Sequence, residues 1–253
     1  MVYSLQKATI WKRAAAWLLD AILICILATG FAFLLSVALG YDNYNGMLED
    51  GYAKYEAQYG ISFDISYEEH QALPEDARQN WDAAYDALSK DPDVIYAYNM
   101  VINLTVLIVA ISILLSVVVW EFVIPLWLKN GQTVGKKAFG LCLIRNDGVQ
   151  VNNLQLMTRA LLGKYTLETM IPVFVLLTLY LGIGGGIGII IVFALLVVQT
   201  ICLCASRTNA AIHDMLAGTV VVDLSSQLIF KSTDDLIAYQ KRVAAEQAAR
   251  QTY

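Results

Sequence analysis

Two carboxylates stand where charge is expensive. Asp20 interrupts an apolar run over residues 14–39, and Glu121 interrupts another over residues 100–128. Basic residues mark the membrane edge of each run. Asp20 lies seven residues past Arg13, Glu121 eight before Lys129, and Gln199 eight before Arg207. At about 1.5 Å per residue, all three fall at a similar depth of about 10–12 Å. Charges placed there cost about 2.5–3.5 kcal/mol each on insertion scales, so they should face one another and not lipid. Two close carboxylates disfavour double ionisation. They can hold one shared proton, a cation, or a basic partner such as Arg159. Asp20, Glu121 and Gln199 are therefore candidates for a proton- or cation-binding site open towards the cytoplasm, with Glu168 and Thr169 at its edge. The competing reading is a buried polar network that only locks helices together. Pro125 adds a detail, because it lacks the N–H that would bond the carbonyl of Glu121.

The elements that position these residues are membrane spans. Of 253 residues, 58% are hydrophobic and 15% charged, against about 45–50% and about 25% in soluble domains. Four apolar stretches carry the shift: residues 14–39, 100–128, 167–181 and 187–205. A bilayer span needs about 20 such residues. The last two runs flank Gly182, Gly184, Gly185, Gly186 and Gly188. Glycine permits a tight reversal and weakens a helix, so two helices joined by a glycine turn are expected.

Charge distribution sets orientation. Residues 41–95 hold thirteen acids against Lys54, Arg78 and Lys90. Basic residues concentrate before the first span and between the second and third. Because positive loops stay inside, both termini and the 129–166 loop are expected to be cytoplasmic and residues 41–95 outside. Cys25, Cys142, Cys202 and Cys204 all lie outside that acidic loop, so its order must come without disulfides.

The acidic loop carries helical stripes. Leu48, Tyr52, Tyr55 and Tyr59 share one face of a helix ending at Gly60, and Trp81, Tyr85 and Leu88 share another, with Pro74 as its start signal. In the inner loop, residues 141–144 and 149–151 around Asp147-Gly148 have the form of a β-hairpin. Residues 153–164, with Leu154, Met157 and Leu161 on one stripe, fit an interfacial helix. Residues 219–223 are a further β-prone run able to join the hairpin. A C-terminal helix is expected from Thr233, which caps it.

Residues 130–137, NGQTVGKK, look like a phosphate-binding loop. A Walker loop needs four residues between its glycines, Ser or Thr after the lysine, and a preceding strand. Here three residues separate Gly131 from Gly135, Lys137 follows Lys136, and a span precedes. No nucleotide is expected. Lys129, Lys136 and Lys137 are instead candidates for anionic lipid headgroups. No sequence pattern of a metalloprotease or serine hydrolase occurs, and only His70 and His213 are available as imidazole ligands. The expectation is no enzyme, no metal, no cofactor and no nucleic acid.

Three blocks carry a resemblance: KRAAAWLLDA with Arg13 and Asp20, NGQTVGKKAFGLCLIRNDG, and AIHDMLAGTVVVD with Asp214. Together they resemble the RDD family of bacterial membrane proteins, named for an arginine and two aspartates. The resemblance marks Arg13, Asp20 and Asp214 as family-motif residues. It implies a multi-pass protein of the bacterial cytoplasmic membrane, with transport commonly inferred for members. The acidic outer loop is an addition to the family pattern.

The expected architecture is an all-α polytopic membrane protein of four transmembrane helices, with a small helical extracytoplasmic insertion and a short cytoplasmic β-hairpin and interfacial helix. Its segments are residues 1–40, 41–98, 99–128, 129–166, 167–206 and 207–253. Two functions fit. One is a transporter of a small ion or solute, proton- or cation-coupled and homo-oligomeric, since four helices leave little room for a pathway. The other is a noncatalytic membrane module that binds a protein partner or lipid.

Overall fold

A computed structural model describes residues 5–128, 130–180, 186–206 and 208–251. The expected glycine turn at Gly182, Gly184 and Gly185, and the interface markers Lys129 and Arg207, lie outside the described residues. Within them, four helical segments are long and apolar enough to cross a membrane: Ile10–Leu39, Pro92–Leu128, Asn153–Tyr180 and Ile187–Ala205. The chain has an all-α polytopic membrane fold with one small sheet.

The chain divides into two compact units. One is formed by residues 29–112, the other by residues 1–28 and 113–253. In the first, the C-terminal half of α1 (Ile10–Leu39) ends at Gly40, whose φ of 66° turns the chain into α2 (Tyr41–Tyr59). Next come α3 (Tyr67–Ala72) and α4 (Glu75–Lys90), then α5 (Pro92–Val118), whose last residues belong to the second unit. Ser66 and Glu69 form a reciprocal capping box at α3. The expected aromatic stripes meet. Phe63 stands edge-on to Tyr52 and Trp81, Trp81 stacks on Tyr85 at 5.5 Å, and Trp81 Nε1 donates to the carbonyl of Ser62 at 3.0 Å. Helix α5 starts at Pro92, so the second long helix begins within the segment expected to be outer loop.

The second unit carries the sheet. β1 (Leu141–Arg145) pairs antiparallel with β2 (Thr219–Asp223), from Leu141 opposite Asp223 to Arg145 opposite Thr219. The expected hairpin is present at its turn, where Arg145 N donates to the carbonyl of Val149 at 2.8 Å and Ile144 bridges Gln150, and Val149 also bridges Phe230. The run 219–223 joins it through β1 and supplies the longer ladder, its Val and Thr side chains burying both faces. Leu141, Leu143 and Val221 pack with Ala8, Ala16 and Leu156, while Cys142, Ile144, Val220 and Val222 form the opposite layer. The N-terminal segment joins this sheet through a Lys7–Val222 bridge. Helix α12 (Thr233–Gln251) begins beside Phe230 and Leu236, which pack with Val149.

The expected division at residue 166 also gives way. α8 (Asn153–Thr158), a π-helical stretch π2 (Arg159–Met170) and α9 (Ile171–Tyr180) form one continuous helical segment. The Leu154–Met157 stripe does face outward, at 68% and 46% exposure, while Leu156, Arg159 and Ala160 turn inward. Helices α9 and α10 (Ile187–Ala205) approach closely at Gly188, where a Cβ would lie 2.7 Å from Val175.

Candidate functional site

The buried centre of the second unit is built from five segments. Helix α1 contributes Asp20. Its only buried residues are Ala16 and Asp20, one turn apart, because the 130–137 loop packs there. A Cβ on Gly135 would stand 2.3 Å from the Ala16 carbonyl and 2.8 Å from the Asp20 carboxylate. Glycine is what lets backbone meet backbone. The Gly135 N–H then donates to Asp20 Oδ1 at 2.8 Å. Thr133 N-caps the short helix α7 (Val134–Ala138), accepting from Lys136 N, and its hydroxyl donates to Asp20 Oδ2. Trp120 Nε1 completes the set at 2.8 Å. The N–H groups that a phosphate-binding loop would aim at a nucleotide are here aimed at a carboxylate of the first span.

Glu121 sits on π1 (Val119–Val123), between α5 and α6 (Ile124–Leu128). Ile124 N bonds the carbonyl of Val119, five residues back. Such a bulge re-aims a side chain and is accommodated by the missing N–H of Pro125. Glu121 is 1% exposed and faces three cations. Arg159 Nη1 donates to Oε2 at 2.8 Å, Lys164 Nζ donates to Oε1, and Lys136 Nζ lies 3.7 Å from Oε2.

The π2 register explains how one segment delivers these partners. On an α-helix, Lys164 and Glu168 would stand about 140° and about 180° around from Arg159. On a π-helix of about 4.4 residues per turn they stand within about 50° and about 20° of it. The long π stretch therefore places Arg159, Lys164 and Glu168 on one face. Arg159 reaches two acids, since its Nε also donates to Asp214 Oδ1 at 3.0 Å.

Asp214 lies on α11 (Ile212–Ala217), which crosses π2 at Gly163, where a Cβ would fall 2.4 Å from the His213 Cβ. Arg13 Nη2 donates to Asp214 Oδ2 at 2.8 Å, and Nη1 donates to the carbonyl of Asn209. Burial opposes ionisation of Asp214, but His213, Arg159 and Arg13 outweigh it and hold the carboxyl well below its usual range. His213 Nδ1 meets Glu168 at 2.7 Å, and burial, only partly offset by Asp214 and Glu168, holds its imidazole below the usual value.

The structure brings Asp20 and Glu121 into one network through Thr133 and Lys136: Lys136 Nζ stands 3.3 Å from Thr133 Oγ1, which itself binds Asp20. Arg159 then links Glu121 to Asp214, and Asp214 to Arg13. Arg13 is thus an ion-pair partner and not only an interfacial anchor. Gln199 stands apart. Its Oε1 accepts Ile212 N at 3.1 Å, satisfying the first turn of α11. Thr169 donates to the Lys164 carbonyl of its own segment. The headgroup expectation needs lysines at the surface. Lys137 is exposed, but Lys136 is 6% exposed and is turned to Glu121 by its place in the first turn of α7. Among the described residues, every buried side-chain polar atom has a hydrogen-bond partner. Sequence reasoning missed Trp120, Lys136 and Lys164. For Trp120 the signal was an aromatic donor beside a span carboxylate, and for Lys164 its place five residues, one π-turn, past Arg159.

Residues 7–218 match the sequence model described as the RDD family. No curated protein and no solved structure matches the chain.

Proposed function

Because the chain belongs to the RDD family and is a multi-pass membrane protein, we propose that it transports a small ion or solute with proton or cation coupling. The observation that carries this reading is the buried bridge Asp20–Thr133–Lys136–Glu121. Charged residues inside spans are expensive, and by default mark an ion pathway or proton relay. Asp20 and Glu121 are the ion-handling carboxylates, and Arg13, Arg159, Lys164 and Asp214 hold their surroundings. The charge asymmetry puts both termini on the cytoplasmic side of a bacterial cytoplasmic membrane, with the cluster nearest that side. Homo-oligomerisation supplies the wider pathway that four helices lack. The protein is not an enzyme on this reading, and it takes neither nucleotide nor nucleic acid, since Gly135 and Thr133 are already committed to Asp20.

The deciding experiment is ion flux in proteoliposomes holding the purified protein. Asp20→Asn and Glu121→Gln variants that keep their fold are expected to lose flux. Unchanged flux in both would make the cluster a structural lock.

A second reading has its own observation. The outer segments hold an aromatic cluster around Phe63, Trp81 and Tyr85 and helices with their own caps. A folded outer unit of that kind fits a noncatalytic module that binds a protein partner, and the exposed Lys137 fits lipid contact. Wild-type protein inert in flux assays yet retaining a ligand through residues 41–98 would favour it.

A further inference from the structure

We propose that Arg159–Met170 is a two-register element. Its π register is the closed state, set by the hydroxyls of Thr166 and Thr169 and by the ion pairs the segment makes. An α register, with Lys164 and Glu168 turned away from Arg159, is the open state. The inference deepens the transport reading and rests on it only for the role of the switch in flux.

The pattern Glu-x-x-Ile-Pro occurs at residues 121–125 and again at residues 168–172. Each copy closes a π stretch. Ile124 N–H bonds the carbonyl of Val119 and Ile171 N–H that of Thr166, both five residues back. In an α register the proline ring would press on the carbonyl four residues back, that of Glu121 or Glu168, and a wider turn relieves it. A proline therefore accounts for one wide turn. π1 has about that length, at five residues, whereas π2 runs for twelve. π stretches are mostly single turns. The rest of π2 has no proline to explain it, so its contacts hold it wound.

Those contacts are of two kinds. In an apolar span a threonine hydroxyl has no water and turns to a carbonyl of its own helix. In α-helical spans Thr105 and Thr200 reach four residues back, to Val101 at 2.7 Å and Leu196 at 2.8 Å. In π2, Thr166 and Thr169 reach five back, to Leu161 at 2.9 Å and Lys164 at 2.8 Å. These hydroxyls match the π register and must be re-aimed in an α one. The second kind reaches outside the segment: Arg159 and Lys164 to Glu121, and Glu168 to His213. On an α-helix Lys164 and Glu168 lie on the side away from Arg159, so a change of register breaks their pairs with Glu121 and His213 together. The α register is also the longer one, by about 4 Å over the twelve residues. α9 carries the change to α10, which it meets where Val175 packs on Gly188. The cluster and the α9–α10 contact thus have two linked arrangements, as a switching transition requires.

The test is the distance between nitroxide labels at Met157→Cys and Phe174→Cys, two exposed positions on either side of π2. It is read by pulsed electron double resonance on the full-length protein in lipid nanodiscs, with Cys25, Cys202 and Cys204 replaced by alanine and the buried Cys142 kept. The labelled parent chain is expected to show chiefly the short distance of the π register. Thr166→Val with Thr169→Val leaves every charge in place and is expected to add a discrete component about 4 Å longer. Thr166→Ser with Thr169→Ser keeps both hydroxyls and is expected to lack that component. Thr200→Val loses the same kind of bond in α10 and is expected to leave the distance unaltered. An unchanged or merely broadened distribution in the double valine variant, a long component in the double serine variant, or the same component in Thr200→Val overturns the proposal. Should the double valine variant fail to fold, Glu121→Gln carries the test. It removes the acid that Arg159 and Lys164 meet, and a single unchanged distance there overturns the proposal. Flux is read separately in proteoliposomes. Two distances without flux leave the two-register element standing and remove the transport reading, whereas flux through a segment of one fixed distance removes the switch.

Discussion

The backbone N–H of Gly135 donates to the carboxylate of Asp20 at 2.8 Å, across 115 residues of chain. The contact exists because position 135 has no side chain. A methyl group there would meet the Ala16 carbonyl at 2.3 Å, and backbone atoms cannot yield as a flexible side chain can. Gly135→Ala is therefore expected to push α7 off α1 and to destabilise the protein by about 1–3 kcal/mol or more. Loss of the Asp20 contact also frees Trp120 Nε1 and the Thr133 hydroxyl. Thermal melts in detergent, with Trp120 fluorescence as a local reporter, measure both effects. A Gly135→Ala protein as stable as wild type would mean that the loop does not pack on Asp20.

Glu121 is the acid whose loss should be felt most. Arg159, Lys164 and Lys136 surround one buried carboxylate. Removing its charge by Glu121→Gln leaves cations buried without their partner, which typically costs about 3–5 kcal/mol. Lys164→Gln in the same chain removes one of the stranded charges, so part of the loss should return. A double-mutant cycle on urea or thermal unfolding measures the coupling. Strict additivity of the two changes would show that the pair does not interact.

That the two acids belong to one network was readable from the sequence, and most of their partners were not. Counting residues inward from Arg13 and Lys129 put Asp20 and Glu121 at one level, and they do share one network. The count failed for Gln199, because depth says nothing of direction, and its side chain turns to the start of α11. Arg159 was named as a basic partner for the pair, and it does hold Glu121, but it and Lys164 were read as part of an interfacial helix. An α-helical wheel separates them, and only the π register aligns them. That register carries no propensity signal. It follows from ion pairs and a close crossing at Gly163, contacts made by residues far apart in the chain. The strand at 219–223 was legible from its Val run, and so was its joining the hairpin; its register against β1 was not, since no local turn connects the two. In residues 41–90, stripes and caps were local and were legible.

The aromatic cluster around Trp81 gives a prediction of its own. Trp81 touches Phe63, Tyr85 and His70, and its ring N–H holds the carbonyl of Ser62. Trp81→Ala removes all four contacts from a region without a disulfide. A loss of about 2–4 kcal/mol in local stability is expected, somewhat below a fully buried Trp. Hydrogen exchange of residues 52–88 reads it directly, while exchange in β1 and β2 should be unaltered. Unchanged protection around Ser62 would show that the stripe does not order this loop.

Lys136 gives the pH dependence a definite sign. In the folded chain its amine loses its proton near pH 8, against about 10.5 in the unfolded chain. Below pH 8 both states hold the proton, and the folded state bears the full penalty of a buried, crowded charge. Between about pH 8 and 10.5 the unfolded chain binds more protons, so stability rises with pH across that window. Lys136→Gln has no such proton. The difference in Tm between wild type and Lys136→Gln should therefore shift in favour of the wild type from pH 8 to 10. The full effect is on the order of 1–3 kcal/mol. Other titrating groups contribute equally to both proteins and cancel. A difference that stays flat from pH 7 to 10 would mean that Lys136 keeps an ordinary lysine's proton. The amine would then have to reach water, against the 6% exposure of Lys136.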